Sequence, residues 1–186
     1  MRKVIVSEFV TLDGVMEGPD KWQLQFWNEE AAKFKFDELF ASDALLLGRV
    51  TYQEFAAAWP SMTDEEGFAD RMNSLPKFVV STTLEEVEWN NARLIKGNIA
   101  EEVSKLKQQP GQDILIAGSA DLVNTLMQHD LIDEYRIMLH PVVVGSGKRL
   151  FRDGSDTKVL RLVETKTFSS GVVVLSYQPA GKEGEG

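Results

Sequence analysis

Four apolar residues, Ala44-Leu45-Leu46-Leu47, break at Gly48, and helical spacing follows at once through Tyr52, Phe55, Ala56 and Trp59. So short an apolar run suits a strand buried on both faces. A buried strand that passes directly into a helix is the repeating unit of a parallel α/β sheet. The junction carries a glycine, a cation and a hydroxyl, at Gly48, Arg49 and Thr51. The first N–H groups of a helix lack intrahelical partners, and the helix dipole makes them an anion site. Gly48 lets a ligand approach the backbone, and Arg49 and Thr51 add donors suited to phosphate. The same residues also read as an ordinary helix start with a surface arginine.

The junction's charge matters because the chain is acidic, with a formal net charge of −9 over 186 residues. That balance argues against nucleic acid or an acidic membrane as partner. With no cysteine, disulfides, thiolate chemistry and cysteine-rich zinc sites are excluded. His129 and His140 stand far apart with no ligand spacing around them, so no metal is expected. The N-terminus turns polar too soon for a signal peptide and no run approaches a membrane span, so a soluble cytoplasmic protein is expected. Hydrophobic residues make up 43%, enough for one domain over 1–178, with 179–186 read as a disordered tail.

Along the chain, Lys3 to Val10 reads as a strand ending in the Asp13-Gly14 turn. A long loop follows, with Gly18, Pro19 and Trp22. Asn28 to Ala41 reads as a helix capped by Asn28, with Glu29 and Glu30 in its first turn. Thr63-Asp64-Glu65-Glu66 is expected to cap a short helix running to about Asn73. Lys77 to Ser81 is a strand ending in three hydroxyls, Ser81-Thr82-Thr83, which also suit a turn. Arg93 to Ile95 is a short strand, and Asn98 caps the helix that follows. Asp113 to Ala117 is a second buried strand. It leads into Gly118-Ser119-Ala120 and a helix with Leu122, Val123, Leu126 and Met127 on one face. The opening design therefore recurs, and a diphosphate would satisfy two such junctions. A strand is expected from Glu134 to Val144, then closing strands at Val159 to Val163 and Thr167 to Tyr177. Gly145-Ser146-Gly147-Lys148 fails as a P-loop, because Val142 and Arg149 occupy two of its required positions. Leu150 breaks the Rossmann glycine pattern in the same way.

Four segments together resemble the dihydrofolate reductase-like superfamily, and more closely the reductase domain of bacterial riboflavin biosynthesis. They are Thr11-Leu12-Asp13-Gly14, Leu46-Leu47-Gly48-Arg49-Val50-Thr51-Tyr52, Leu115-Ile116-Ala117-Gly118-Ser119, and Asp133-Glu134 through Pro141 to Gly147. The resemblance implies an α/β fold with a mostly parallel central sheet, antiparallel C-terminal strands and helices on both faces. It implies NADPH across the carboxyl ends of the strands. By position, Gly48, Arg49 and Thr51 would hold phosphate, and Ser81 and Thr82 would lie near the adenine ribose. Ala117, Gly118, Ser119 and Ala120 would cradle the pyrophosphate and the nicotinamide side. Family members usually have glycine where this chain has Ala117, which still permits a close turn if its backbone is not left-handed.

The function implied is NADPH-dependent hydride transfer to a carbonyl or imine of a small molecule. 5-Amino-6-(5-phosphoribosylamino)uracil reduction is the named activity. Trp22 is expected to close over the substrate. Asp13 would bond a substrate group or assist proton delivery, or else form the turn with Gly14. Two alternatives stand beside this: a non-catalytic nucleotide-binding oligomer, and a true dihydrofolate reductase. The latter needs an acidic side chain on the first helix, and the corresponding position falls near Ala31-Ala32. Edge strands near the C-terminus suggest a homodimer.

Overall fold

The computed structural model describes residues 1–181. Eight strands form one sheet in the order β4-β3-β2-β5-β1-β6-β8-β7. They are β1 (Val4–Thr11), β2 (Ser42–Gly48), β3 (Lys77–Val80), β4 (Ala92–Ile95), β5 (Asp113–Ile116), β6 (Glu134–His140), β7 (Leu160–Thr167) and β8 (Val173–Pro179). The pairings from β4 across to β6 are parallel, while β6–β8 and β8–β7 are antiparallel. The expected dihydrofolate reductase-like architecture is the one found.

Five helices flank the sheet: α1 (Glu29–Phe40), α2 (Arg49–Ala58), α3 (Phe68–Ser74), α4 (Ile99–Gln108) and α5 (Ala120–Gln128). Alternation in β2 sends Leu45 and Leu47 to one face and Leu46 to the other. The first two pack with Leu39 of α1, Tyr52 of α2 and Met72 of α3. Leu46 packs with Val103 and Leu106 of α4 and with Leu122, Val123 and Leu126 of α5. All three leucines are buried, each stabilising the fold by about 1.5–3 kcal/mol relative to exposure. No helix among the described residues is long and apolar enough to cross a membrane.

Local chemistry sets most boundaries. Asn28 Oδ1 accepts from Ala31 N, and Asn98 Oδ1 from Glu101 N, as N-caps do. The helix expected after Thr63-Asp64-Glu65-Glu66 starts at Phe68, following Gly67 with φ 87°. Its cap is the Asp64 carboxylate, which accepts from Phe68 N and Ala69 N at 3.1 and 2.9 Å. β6 ends at His140 rather than Val144, because Pro141 has no N–H to continue the ladder. The closing strands also shift. β7 extends to Thr167, and Ser169-Ser170-Gly171 forms the turn before β8. Pro179, expected in the tail, closes β8, and Ala180 N donates to Val159 O at 3.1 Å. The remainder of that tail, 182–186, lies outside the described residues.

Candidate functional site

From β2 the chain proceeds to β3 on one side. From the adjacent β5 it proceeds to β6 on the other side. The helices that follow, α2 and α5, therefore lie on opposite faces, as their separate core clusters record. This is the topological switch point of an open α/β sheet, the place where sheets of this kind form a ligand crevice at the carboxyl ends of their strands.

Two junctions meet there. Gly48 N donates to Gly118 O at 3.0 Å. A Cβ on Gly48 would lie 2.3 Å from Ser119 Oγ, and one on Gly118 would lie 2.3 Å from Thr51 Oγ1. Each glycine thus makes room for a side chain of the other junction. Gly118 also has φ +139°, which disfavours any other residue. Ala117 keeps a negative φ, so its departure from glycine leaves the turn intact.

The predicted binding residues divide by what they already do. Gly48 gives α2 no side-chain cap, so the helix's first N–H groups keep their capacity for a ligand. Arg49 is exposed, and its guanidinium reaches Gln53 Oε1 on its own helix at 3.1 Å. Ser119 caps α5, with Leu122 N donating to its Oγ at 3.5 Å, and Ala120 is buried behind it. Ser81 is buried, and its Oγ accepts from Thr83 N and Leu84 N, the turn chemistry that three hydroxyls suggest. Thr82 beside it is exposed.

Asp13 and Trp22 sit where loops meet. The Asp13 carboxylate accepts from Thr11 Oγ1 at 2.6 Å and from Gly145 N at 2.9 Å. These bonds hold it below its usual range, so it stays ionised and ties the β1 turn to the loop after β6. Trp22 is buried. Its indole N–H donates to Glu17 O at 3.2 Å, and its ring meets His140 edge-to-face at 5.1 Å.

The structure adds residues that no motif marks. Phe9 and Phe26 join Trp22 around His140, at 5.6 and 5.8 Å between centroids, forming an aromatic wall beyond the end of β6. His140 Nδ1 donates to Met138 O at 2.8 Å, and burial lowers its pKa. Lys35 of α1 brings its Nζ to Ser7 Oγ at 3.1 Å and pairs with Glu38 at 2.7 Å. Burial pushes Glu38 upward, but Lys35 and Arg136 outweigh it and keep its carboxyl below the usual range. Ala31 is buried beside Met138 and Phe168, and Glu30 Oε1 accepts from Ser169 N and Oγ. The aromatic density of the loop from Trp22 to Trp27 was the available signal. Lys35 gave none, because its partner Ser7 lies 28 residues away.

Two other cavities, of about 180 and 250 Å³, lie toward the amino ends of the strands. They are lined by residues such as Ile132 and Tyr135, and Glu134 and Arg136, away from the switch point.

Sheet order, switch point and paired junctions define a dihydrofolate reductase-like α/β protein. The chain belongs to the RibD C-terminal domain family, whose profile matches residues 2–174. It is 38% identical over 179 residues to uncharacterized protein YyaP of Bacillus subtilis, covering 95% of this chain and 94% of that one. Its fold is similar to a deaminase/5-amino-6-(5-phosphoribosylamino)uracil reductase of Thermotoga maritima, with TM-score 0.66 and 16% identity, covering 96% of this chain and 57% of that one. It is similar also to dihydrofolate reductase of Enterococcus faecalis complexed with NADP(H), with TM-score 0.64 and 13% identity, covering 96% and 97%.

Proposed function

We propose that the crevice binds NADPH and that the protein is a reductase acting on the carbonyl or imine of a small planar molecule. The observation that carries this reading is the uncapped start of α2, facing the start of α5 at the switch point. Free N–H groups, the dipole and the exposed Arg49 fit a phosphate there. When bound, the cofactor supplies the hydride. The chain's own residues position and exclude. Arg49 and the first turn of α2 hold phosphate, with Thr82 nearby at the end of β3. Gly118, Ser119 and Ala120 form the wall toward β1. Phe9, Trp22, Phe26 and His140 provide an apolar surface that keeps water from a flat ring. Asp13 acts as a positioning residue for the loop after β6.

Reduction of 5-amino-6-(5-phosphoribosylamino)uracil is the named activity consistent with family membership and with the Thermotoga neighbour. A dihydrofolate reductase is disfavoured by Ala31, which is buried where that chemistry needs an acid. Titrating NADPH and NADH while following nicotinamide fluorescence tests the reading. Saturable binding supports it, and absence of binding by both overturns it. Arg49→Ala should weaken NADPH about tenfold, the loss of one charged hydrogen bond. A smaller effect on NADH assigns Arg49 to the 2′-phosphate, and an equal effect assigns it to the pyrophosphate. Unchanged affinity removes Arg49 from the site.

A further inference from the structure

Glu8 is an acid in the core with no ion-pair partner among the described residues. It lies on β1, the central strand, and its side chain is almost wholly buried. Oε1 makes no hydrogen bond. Strand register fixes its height. Val6 of β1 and Leu46 of β2 both pair with Ile116 of β5. Glu8 lies two residues past that level on β1, as Gly118 lies two residues past the end of β5. The Gly48 N to Gly118 O bond joins the two chains just past the paired residues of β2 and β5. Alternation along β1 puts Glu8 on the face of Val6 and Val10, which pack in the α5 cluster. A carboxyl group thus sits one strand from Gly118, on the side where α5 begins.

We propose that Glu8 makes cofactor binding sensitive to pH, because a negative charge on this buried side chain beneath the Gly118-Ser119 junction weakens binding of a phosphate-bearing ligand there. This inference rests on the NADPH reading above.

The neighbourhood favours the neutral form. Burial pushes the Glu8 pKa up to about 8, with Lys35 opposing and Glu38 reinforcing the rise from the far face of the sheet. On its own face, β6 offers Ile137 at the paired position. α5 offers Asn124, whose Oδ1 is also buried without a donor. The nearest acid of α5, Asp121, is exposed and paired with Lys148 and Arg152. The segment after β1 contributes Met16 to the same cluster. The groups on this face therefore leave a Glu8 carboxylate uncompensated. Its negative charge would oppose a pyrophosphate at the next strand through low-dielectric protein.

The sign follows from linkage. Binding that disfavours the ionised form is strongest below the free-state pKa and falls as pH rises through it. A group with a pKa of about 8 is roughly 10% ionised near pH 7 and roughly 90% near pH 9, so the Kd for NADPH should rise about tenfold between them. Glu8→Gln keeps the shape and the neutral state. It should bind NADPH with the wild-type affinity near pH 7 and lose the pH dependence. Lys77, whose buried ammonium is also lowered to about 8, starts β3 at the opposite end of the sheet, and the Glu8→Gln comparison separates the two. Infrared titration of the wild-type carboxyl provides a readout independent of the variant's folding. A protonated carboxyl absent from Glu8→Gln should persist near pH 7, with a midpoint that rises when NADPH is added. A wild-type Kd constant from pH 7 to 9, a slope retained in Glu8→Gln, or a midpoint unmoved by NADPH overturns the proposal and leaves the reductase reading standing. No NADPH binding at pH 7 overturns both.

Discussion

Replacing Gly48 with alanine tests whether that glycine serves the ligand or the fold. Its φ is negative, so alanine meets no backbone penalty, and the cost is steric alone. The new Cβ would lie 2.3 Å from Ser119 Oγ, 2.9 Å from Ser119 Cβ and 3.0 Å from Ser119 N. Relieving those contacts must part the two junctions. Overpacking of this kind costs about 1–3 kcal/mol. Stretching the Gly48 N to Gly118 O bond adds about 1 kcal/mol. A total near 3 kcal/mol should lower Tm by about 6–12 °C in a domain of this size. Ser119→Gly removes Oγ and Cβ, the two closest obstacles, and glycine costs only a few tenths of a kcal/mol at an N-cap. The double variant should therefore recover more than 1 kcal/mol of the Gly48→Ala loss in a double-mutant cycle read by denaturant unfolding. Additive effects would refute the interlock. A Gly48→Ala protein with wild-type stability and no NADPH affinity would instead assign the glycine to ligand approach.

Asp13→Asn should weaken the tie to Gly145. The folded pKa of Asp13 is depressed, so its contribution to stability is present above its ordinary value of 3.8 and lost as pH falls below it. The variant's Tm should thus fall less steeply than wild type on acidification, and an identical acid profile would remove Asp13 from that role. Lys77→Met should cost about 3 kcal/mol, because the carbonyls of Asn73, Leu75 and Asn90 each lose a buried donor. Its NADPH affinity should be unchanged, since Lys77 begins β3 at the end remote from the crevice, and loss of affinity in the folded variant would contradict that placement. The homodimer expected from sequence has an available edge in β7, where Leu162 and Val163 are exposed. Sedimentation velocity should show a dimer that Leu162→Arg dissociates, and a monomeric wild type would refute the expectation.

What the sequence determined by itself is local and periodic. The leucine run at 45–47, the Asn28 and Asn98 caps and the apolar face of α5 each depend on residues within a few positions of one another, so spacing reveals them. The glycine at the end of β2 was legible for the same reason, as was the polar Ser119 that caps α5. Local signals failed where two of them competed. The stretch Thr63 to Glu66 offers several caps, and the fold uses the Asp64 carboxylate, which accepts from Phe68 N and Ala69 N. The site itself was a tertiary decision. Gly48 and Gly118 became one feature because β5 inserts between β1 and β2, a pairing with no local signature. The same insertion set Glu8 on the strand beside the end of β5. Burial, which removes water from its carboxyl, pushes the pKa of this strand residue up.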